Sequence, residues 1–270
     1  FAALGNEVAL VTPWRFNPFK KDPFEYYNAE KNFKIIKIPS VDLVKFGKIG
    51  FWIQSFSFSK LAAIYVLFSA IGGSAFSRKN RDIIYSRDAL PLFWLSFFKK
   101  NLFWESHRGE FNFIVKRLFK KCRGVITITR GLKDFYLKNG VGEGKILVVP
   151  DGVDLKTFDI RISKEKARGE LSLPQNEKIV AYTGHLYGWK GAGTLLEAAR
   201  GLSDILFVFV GGTNEDIDNF RIQASGLKNV LIVGYRLPHE IPYWLKAADV
   251  LVLPNSAKEK ISQFYTSPMK

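Results

Sequence analysis

Four loop segments bring together residue types able to hold an anion, a sugar or a base. The segment Thr183-Gly-His-Leu-Tyr-Gly-Trp-Lys-Gly-Ala-Gly193 follows an apolar run and precedes a helical one. Its four glycines let the backbone come close to a ligand. Lys190 adds a positive charge where the free N–H groups of a helix start already favour anions. That combination suits a phosphate, and an ordinary flexible connection has the same composition. The spacing is neither that of a Walker A loop nor that of a dinucleotide fingerprint. The segment Gly234-Tyr-Arg-Leu-Pro-His239 offers backbone groups and the Tyr235 ring to a nucleobase, or is a turn made by Gly234 and Pro238. In Tyr265-Thr-Ser-Pro-Met-Lys270, the hydroxyls and amides of Thr266 and Ser267 would cap a following helix or hold an anion. In Glu105-Ser-His-Arg-Gly109, His107 is one of three histidines in the chain. It stands between a carboxylate and an arginine, a candidate acid, base or sugar-hydroxyl partner unless it is a surface histidine with no such role.

Other chemistries lack their residues. There is no cysteine pair and no His-x-x-x-His, and Asp216-Ile-Asp218 reads as part of a polar loop, so no metal site is expected. No Gly-x-Ser-x-Gly elbow is present. The single cysteine, Cys122, can form no internal bridge, which fits a reducing compartment.

The elements that must position these loops alternate in type. Short apolar runs predict strands at Glu7–Val11, Phe33–Ile38, Asp82–Tyr85, Asn101–Glu105, Gly124–Ile128, Ile146–Val149, Ile179–Tyr182, Ile205–Val210, Val230–Val233 and Val250–Leu253. Amphipathic stretches between them include Phe113–Cys122, Gly131–Asn139, Gly193–Gly201 and Ile241–Ala247. Strands nearly continuous in apolar residues and separated by helices predict an α/β fold of doubly wound parallel sheets covered on both faces. Such sheets bind ligands beyond the carboxyl ends of their strands, which is where the four loops lie.

Composition narrows the class further. A chain of 270 residues with 47% hydrophobic and 24% charged content is no disordered tail, collagen-like repeat or disulfide scaffold. The formal net charge is +15, and it is uneven. Residues 1–140 hold 24 Lys and Arg against 10 Asp and Glu, whereas residues 141–270 hold 16 against 15. The split predicts two domains with different partners. The polar segment Asp151–Glu177 reads as the linker between domains at 1–155 and 156–270, or as one solvated helix. Phe51–Phe76 is apolar, but Gln54, Lys60 and several serines interrupt it, so a buried or surface-docked helix is expected rather than a span. The ends at Phe1 and Lys270 read as cut inside structural units, and no signal peptide is visible.

In this order the segments resemble the retaining glycosyltransferases of family 4, with the GT-B fold of two Rossmann-like domains facing a cleft. Val125-Ile-Thr-Ile-Thr-Arg-Gly-Leu-Lys-Asp-Phe is similar to the family's strand and helix entering the last unit of the N-terminal domain. Lys145-Ile-Leu-Val-Val-Pro-Asp-Gly-Val-Asp154 with Phe158 resembles its Pro-Asn-Gly-Val-Asp segment. Thr183-Gly-His-Leu with Lys190-Gly191 resembles its Gly-Arg-Leu and Lys-Gly loop, and Ala248-Asp-Val-Leu-Val-Leu-Pro-Asn its Ala-Asp-Val…Pro-Ser strand. The resemblance implies a metal-independent, retaining transfer from a nucleotide-diphosphate sugar, which is a substrate and not a cofactor. It implies that Lys190, Gly184, Thr266 and Ser267 contact the donor diphosphate, that Gly234 and Tyr235 lie near the base, and that His107 lies near the transferred sugar. Three departures stand out. His185 replaces the family's arginine, making one charge on the diphosphate pH-dependent. The Glu-x7-Glu pattern would start near Tyr265, which is not acidic, and finish past Lys270. The family's glycine-rich loop after the first strand would precede Phe1. The chain alone is therefore expected not to catalyse, its donor domain being incomplete.

The resemblance also places the acceptor on the N-terminal domain, which here holds the excess charge. Basic residues beside Trp and Phe, as in Pro13–Phe24 and Lys45–Trp52, suit the interface of an anionic membrane, and solvated lysines over a Phe-rich core have the same composition. The expectation is a cytoplasmic enzyme, peripheral on the inner face of the membrane, with a glycan or lipid-linked cell-envelope acceptor. Two alternatives are a nucleotide-sugar epimerase of the same fold and a basic nucleic-acid-binding protein. No helix-turn-helix, zinc finger or RNA-recognition pattern accompanies the charge, so no nucleic acid is expected as a partner.

Overall fold

The computed structural model describes residues 1–16, 21–69, 82–255 and 259–266. The chain divides into two compact units, one of residues 1–24 and 29–150, the other of residues 25–28 and 151–270.

The first unit carries two parallel sheets. Strands β1 (Ala9–Pro13) and β2 (Lys34–Ile38) pair, with helix α1 (Pro23–Tyr27) between them in sequence. Helix α2 (Gly47–Ser69) follows. Then β3 (Ile84–Ser86), α3 (Ala89–Leu95), β4 (Leu102–Ser106), α4 (Phe113–Lys121), β5 (Gly124–Thr127), α5 (Arg130–Lys138) and β6 (Ile146–Val148) alternate. Their strands lie in the order β3-β4-β5-β6, all parallel. Side-chain caps set the helix starts: Asp88 accepts from Leu90 N–H, Asn112 from Val115 N–H and Thr129 from Leu132 N–H. The core is aromatic and aliphatic, with Leu92, Leu102, Leu118, Leu132 and Tyr136 wholly buried.

The second unit runs α6 (Leu155–Phe158), α7 (Lys164–Glu170), β7 (Lys178–Thr183), α8 (Ala192–Gly201), β8 (Ile205–Val210), α9 (Asn214–Gln223), β9 (Val230–Gly234), α10 (Ile241–Ala247), β10 (Val250–Leu251) and α11 (Lys260–Phe264). The parallel order is β10-β7-β8-β9, so the first two strands in sequence lie at the centre of the sheet. They are its most buried pair, with Ile179, Tyr182, Phe207 and Phe209 wholly buried. All ten strands expected from the apolar runs form, displaced by two residues or fewer at their starts. Both units are α/β and Rossmann-like.

Two expectations are corrected here. The segment 151–177 is no solvated linker, since it holds α6 and α7, and α7 buries Arg168 at 3% exposure. The Arg168 guanidinium donates to the carbonyls of Ala247, Gln175 and Glu177 and, at 2.7 Å, to the Asp249 carboxylate. Asp249 also accepts from Lys164 and from the backbone N–H of Ile179 at the start of β7. Likewise Asp216 and Asp218 sit in a helix, not a loop, because Thr213 and Asp216 form a capping box that starts α9.

The Asp249 interactions, led by the Lys164 hydrogen bond and that of Ile179, hold its carboxyl far below the usual carboxylate range. A depressed folded-state value means that its stabilisation is present above the unfolded carboxylate's pKa and is lost as pH falls through the folded one. Asp249→Asn leaves a buried guanidinium without its counter-charge, for an expected loss of about 3 kcal/mol at neutral pH. Urea unfolding at pH 7 and below pH 4 checks this, and the gap between variant and wild type should narrow in acid.

Candidate functional site

Three neighbouring strands of the second unit end on glycines in the left-handed region: β7 on Gly184 (φ 138°), β8 on Gly211 (φ 119°) and Gly212 (φ 96°), and β9 on Gly234 (φ 77°). The strand ends stay joined past the sheet, with Gly184 N–H donating to Val210 C=O and Gly211 N–H to Gly234 C=O, each at 2.8 Å. A Cβ on Gly211 would lie 2.4 Å from the Gly184 carbonyl oxygen, so this approach of two backbones admits only glycine. The β8–β9 register shifts beside Val210, so that Val210 pairs with Gly234 and one residue of β9 is left over. This bulge re-aims the exit of β9. Gly211 and Gly212 are absent from the sequence-derived site. Their signal was a glycine pair directly after a buried strand.

The β7 exit loop is built in layers. The Tyr182 hydroxyl donates to the His185 carbonyl, and the His185 ring stacks on Tyr187 with centroids 4.8 Å apart and planes 5° from parallel. A single helical turn, Gly188–Lys190, leads to Gly191, whose φ of 77° starts α8 with no side-chain cap. A Cβ on Gly191 would fall 1.6 Å from the Pro254 carbonyl oxygen, so this loop lies directly on the chain that leaves β10. Lys190 is half-buried, and desolvation lowers the pKa of its ammonium. An uncapped helix start, exposed loop backbone and a partly desolvated cation together suit a diphosphate, whose charge would offset the desolvation. A depression of about 550 Å³ opens on the α9 side of the loop, lined by Leu186, Tyr187, Gly188, Asp216, Asn219 and Gln223 among others.

The remaining expected residues are placed as follows. Tyr235 is exposed just past Gly234, and the next residue, Arg236, lies over the Trp244 ring, 5.8 Å from its centroid. The Glu240 carboxylate accepts from Leu237 N–H, so the turn is closed by a capping contact as well as by Gly234 and Pro238. The Thr266 hydroxyl donates to the Ile261 carbonyl at 2.7 Å, closing the end of α11. Ser267 lies outside the described residues.

In the first unit, β4 carries His107 just past its carboxyl end. Tyr136, buried on α5, fixes this exit by donating to the Arg108 carbonyl at 2.8 Å while sharing a hydrogen bond with the Ser106 hydroxyl. His107 Nε2 meets the Glu105 carboxylate, and Nδ1 lies 3.0 Å from the Arg87 guanidinium. A neutral ring with its proton on Nε2 satisfies both contacts at once, donating to Glu105 and accepting from Arg87. Of the two charged residues that flank His107 in sequence, Glu105 meets the ring and Arg108 does not. Arg108 pairs instead with Glu110, and Arg87 comes from the end of β3. Arg87 is 65% exposed, so a sugar hydroxyl could exchange with it at Nδ1.

Residues 163–262 match the family described as Glycosyl transferases group 1. The chain is 34% identical over 121 residues to the UDP-Gal:alpha-D-GlcNAc-diphosphoundecaprenol alpha-1,3-galactosyltransferase of Escherichia coli, a match covering 41% of this chain and 31% of that protein. The chain thus spans about a third of the length of the curated relatives it matches. Among solved structures, the sucrose-phosphate synthase of Thermosynechococcus elongatus superposes with a TM-score of 0.69 at 19% identity, over 97% of this chain and 70% of that one. The Anabaena protein HepE in complex with UDP superposes with a TM-score of 0.64 at 15% identity, over 93% of this chain and 75% of that one. At these identities the likeness shows the fold, which is that of the GT-B glycosyltransferases.

Proposed function

We propose that the protein is a group 1 glycosyltransferase, moving a sugar from a nucleotide-diphosphate sugar to a cell-envelope or lipid-linked glycan acceptor. The observation that carries this reading is one constellation within the matched residues. Lys190 and the uncapped start of α8 stand beside the glycine ends of β7, β8 and β9. In the reaction the bond from the anomeric carbon to the diphosphate oxygen breaks, and its electron pair stays on the diphosphate. The acceptor oxygen bonds to that carbon and passes its proton to the departing diphosphate. Negative charge grows on the leaving diphosphate, where the Lys190 ammonium and the free N–H groups of α8 stabilise it without a metal. Gly234 and Tyr235 would hold the base, and Gly184 and the backbone of Thr266 would lie along the phosphates. His185 would add a positive charge only when protonated. His107 would meet a hydroxyl of the transferred sugar by displacing Arg87. Retention of configuration rests on the family resemblance.

UDP is the nucleotide to try first, given the E. coli relative's donor and the HepE complex. A diphosphate-linked polyprenyl glycan is the acceptor to try first, given the acceptor in the E. coli relative's name. The test incubates the full-length protein with labelled UDP-sugars, with and without that acceptor. A transferase consumes donor at speed only when acceptor is present and passes the label to it. An epimerase converts donor with no acceptor at all, and that result would overturn the reading.

A further inference from the structure

Helix α2 is turned inside out compared with an ordinary surface helix. Its buried positions are small or polar: Gly50, Gln54, Ser59, Ala62 and Ala63. Its bulk faces outward. Ile49 is 76% exposed and Trp52 62%, and Ile53, Phe56, Ile64 and Phe68 are exposed as well. The apolar surface does not stop at α2. A chain of ring contacts runs from Phe56 to Trp94 (5.8 Å), on to Phe93 (5.2 Å), and from there to Phe97 (5.5 Å) and Phe113 (5.7 Å) at the start of α4. Cations border it throughout. Lys45 lies over the Phe46 ring, Lys60 lies 4.5 Å from the Phe56 centroid, and Arg117 lies 3.5 Å from that of Phe97. Residues 43–69 contain no Asp or Glu.

We propose that this face docks on a bilayer of anionic lipid, with α2 lying in the plane of the interface. This deepens the reading of a membrane-linked acceptor, and its test does not depend on sugar transfer. Charge selects the occupant. An exposed apolar face needs an apolar partner, and the stretch 43–69, with its lysines and no carboxylate, needs an anionic one. A second copy of the chain would bring the same lysines against each other across a twofold axis. A bilayer supplies both needs, hydrocarbon for Ile49, Trp52 and Ile53 and phosphate headgroups for Lys45, Lys48 and Lys60. At 23 residues α2 is about 34 Å long, and within residues 44–69 an 18-residue stretch reaches a mean hydropathy of 1.3, the length and composition of a span. Its inner face packs against α3, however, and Lys60 sits at mid-helix, so the helix lies on the membrane rather than through it.

Flotation of the full-length protein with vesicles tests this, using phosphatidylcholine alone or with roughly a third phosphatidylglycerol. The expected result is recovery with the anionic vesicles only, reversed by salt and released by alkaline carbonate. Ile49→Glu with Trp52→Glu should cut partitioning at least tenfold, and both side chains are exposed enough for the protein to remain folded. Lys45→Gln with Lys48→Gln, which leaves the apolar face intact, should cut it by roughly thirtyfold at low salt. Equal recovery from neutral and anionic vesicles, unchanged flotation of both variants, resistance to carbonate, or a dimer in sedimentation that the Glu variant dissolves would each overturn the proposal.

Discussion

Lys190→Ala in the full-length protein is expected to lower turnover by two to three orders of magnitude, about 3–4 kcal/mol of transition-state stabilisation. The ammonium sits beside the start of α8, where the leaving diphosphate gathers charge, and its own environment is already partly desolvated. Water screens a charge so placed less than a surface lysine, so each unit of charge developing on the phosphate is felt more strongly. Because burial pushes the Lys190 pKa down, the cation is favoured less in the empty site than in water, and removing it should leave the melting temperature within a few degrees of wild type. Activity should fall as pH rises through the lowered lysine pKa, since only the protonated form does this work. Lys190→Arg should keep more activity than Lys190→Ala. Steady-state rates at saturating donor, set beside a melting curve, separate loss of chemistry from loss of fold. Near-normal rates for the alanine variant would show that the diphosphate rests elsewhere.

Gly191→Ala is expected to be the most damaging single-methyl change in the second unit, at about 3 kcal/mol or more. Two costs add. A non-glycine residue at φ 77° carries a penalty on the order of 1 kcal/mol. The new methyl would also stand 1.6 Å from the Pro254 carbonyl oxygen, and a backbone atom cannot swing aside as a side-chain tip can. Either the β7 exit loop lifts away or the chain after β10 moves, and in both cases Lys190 leaves its place. Gly193→Ala is the control two residues on. It lies inside α8 with nothing within 4 Å of the new Cβ, so it should be neutral or stabilise by up to about 1 kcal/mol. Urea midpoints of the two variants check the contrast, and equal effects would mean that the loop does not rest on Pro254.

Some of the site could be read from residue order because the information was local. A glycine-rich stretch with one lysine, set between an apolar run and a helical one, gives a strand end, a flexible turn and a helix start whatever surrounds it. Thus the strand ends at Gly184 and Gly234 and the turn that carries Lys190 were legible, and so was the carboxylate two positions from His107. The partners that come from far along the chain were not. Arg87 reaches His107 across 20 residues, and Arg168 reaches Asp249 across 81, so neither pair leaves a spacing pattern. Without the second pair, 151–177 shows only its charges and reads as a linker or as one solvated helix. The backward bond of the Thr266 hydroxyl to Ile261 was likewise not legible, since a hydroxyl can bond forward or backward and only the path of α11 shows that bond.

The amino-acid order alone determined the alternation of ten strands with helices, the asymmetry of charge and the loops rich in glycine. These depend on side-chain size, on backbone freedom and on neighbours a few residues away. Tertiary structure decided which way the apolar face of α2 turns, which cation meets the histidine and which backbone Gly191 must leave room for. Each of those is fixed by contacts between segments that the chain holds apart until it folds.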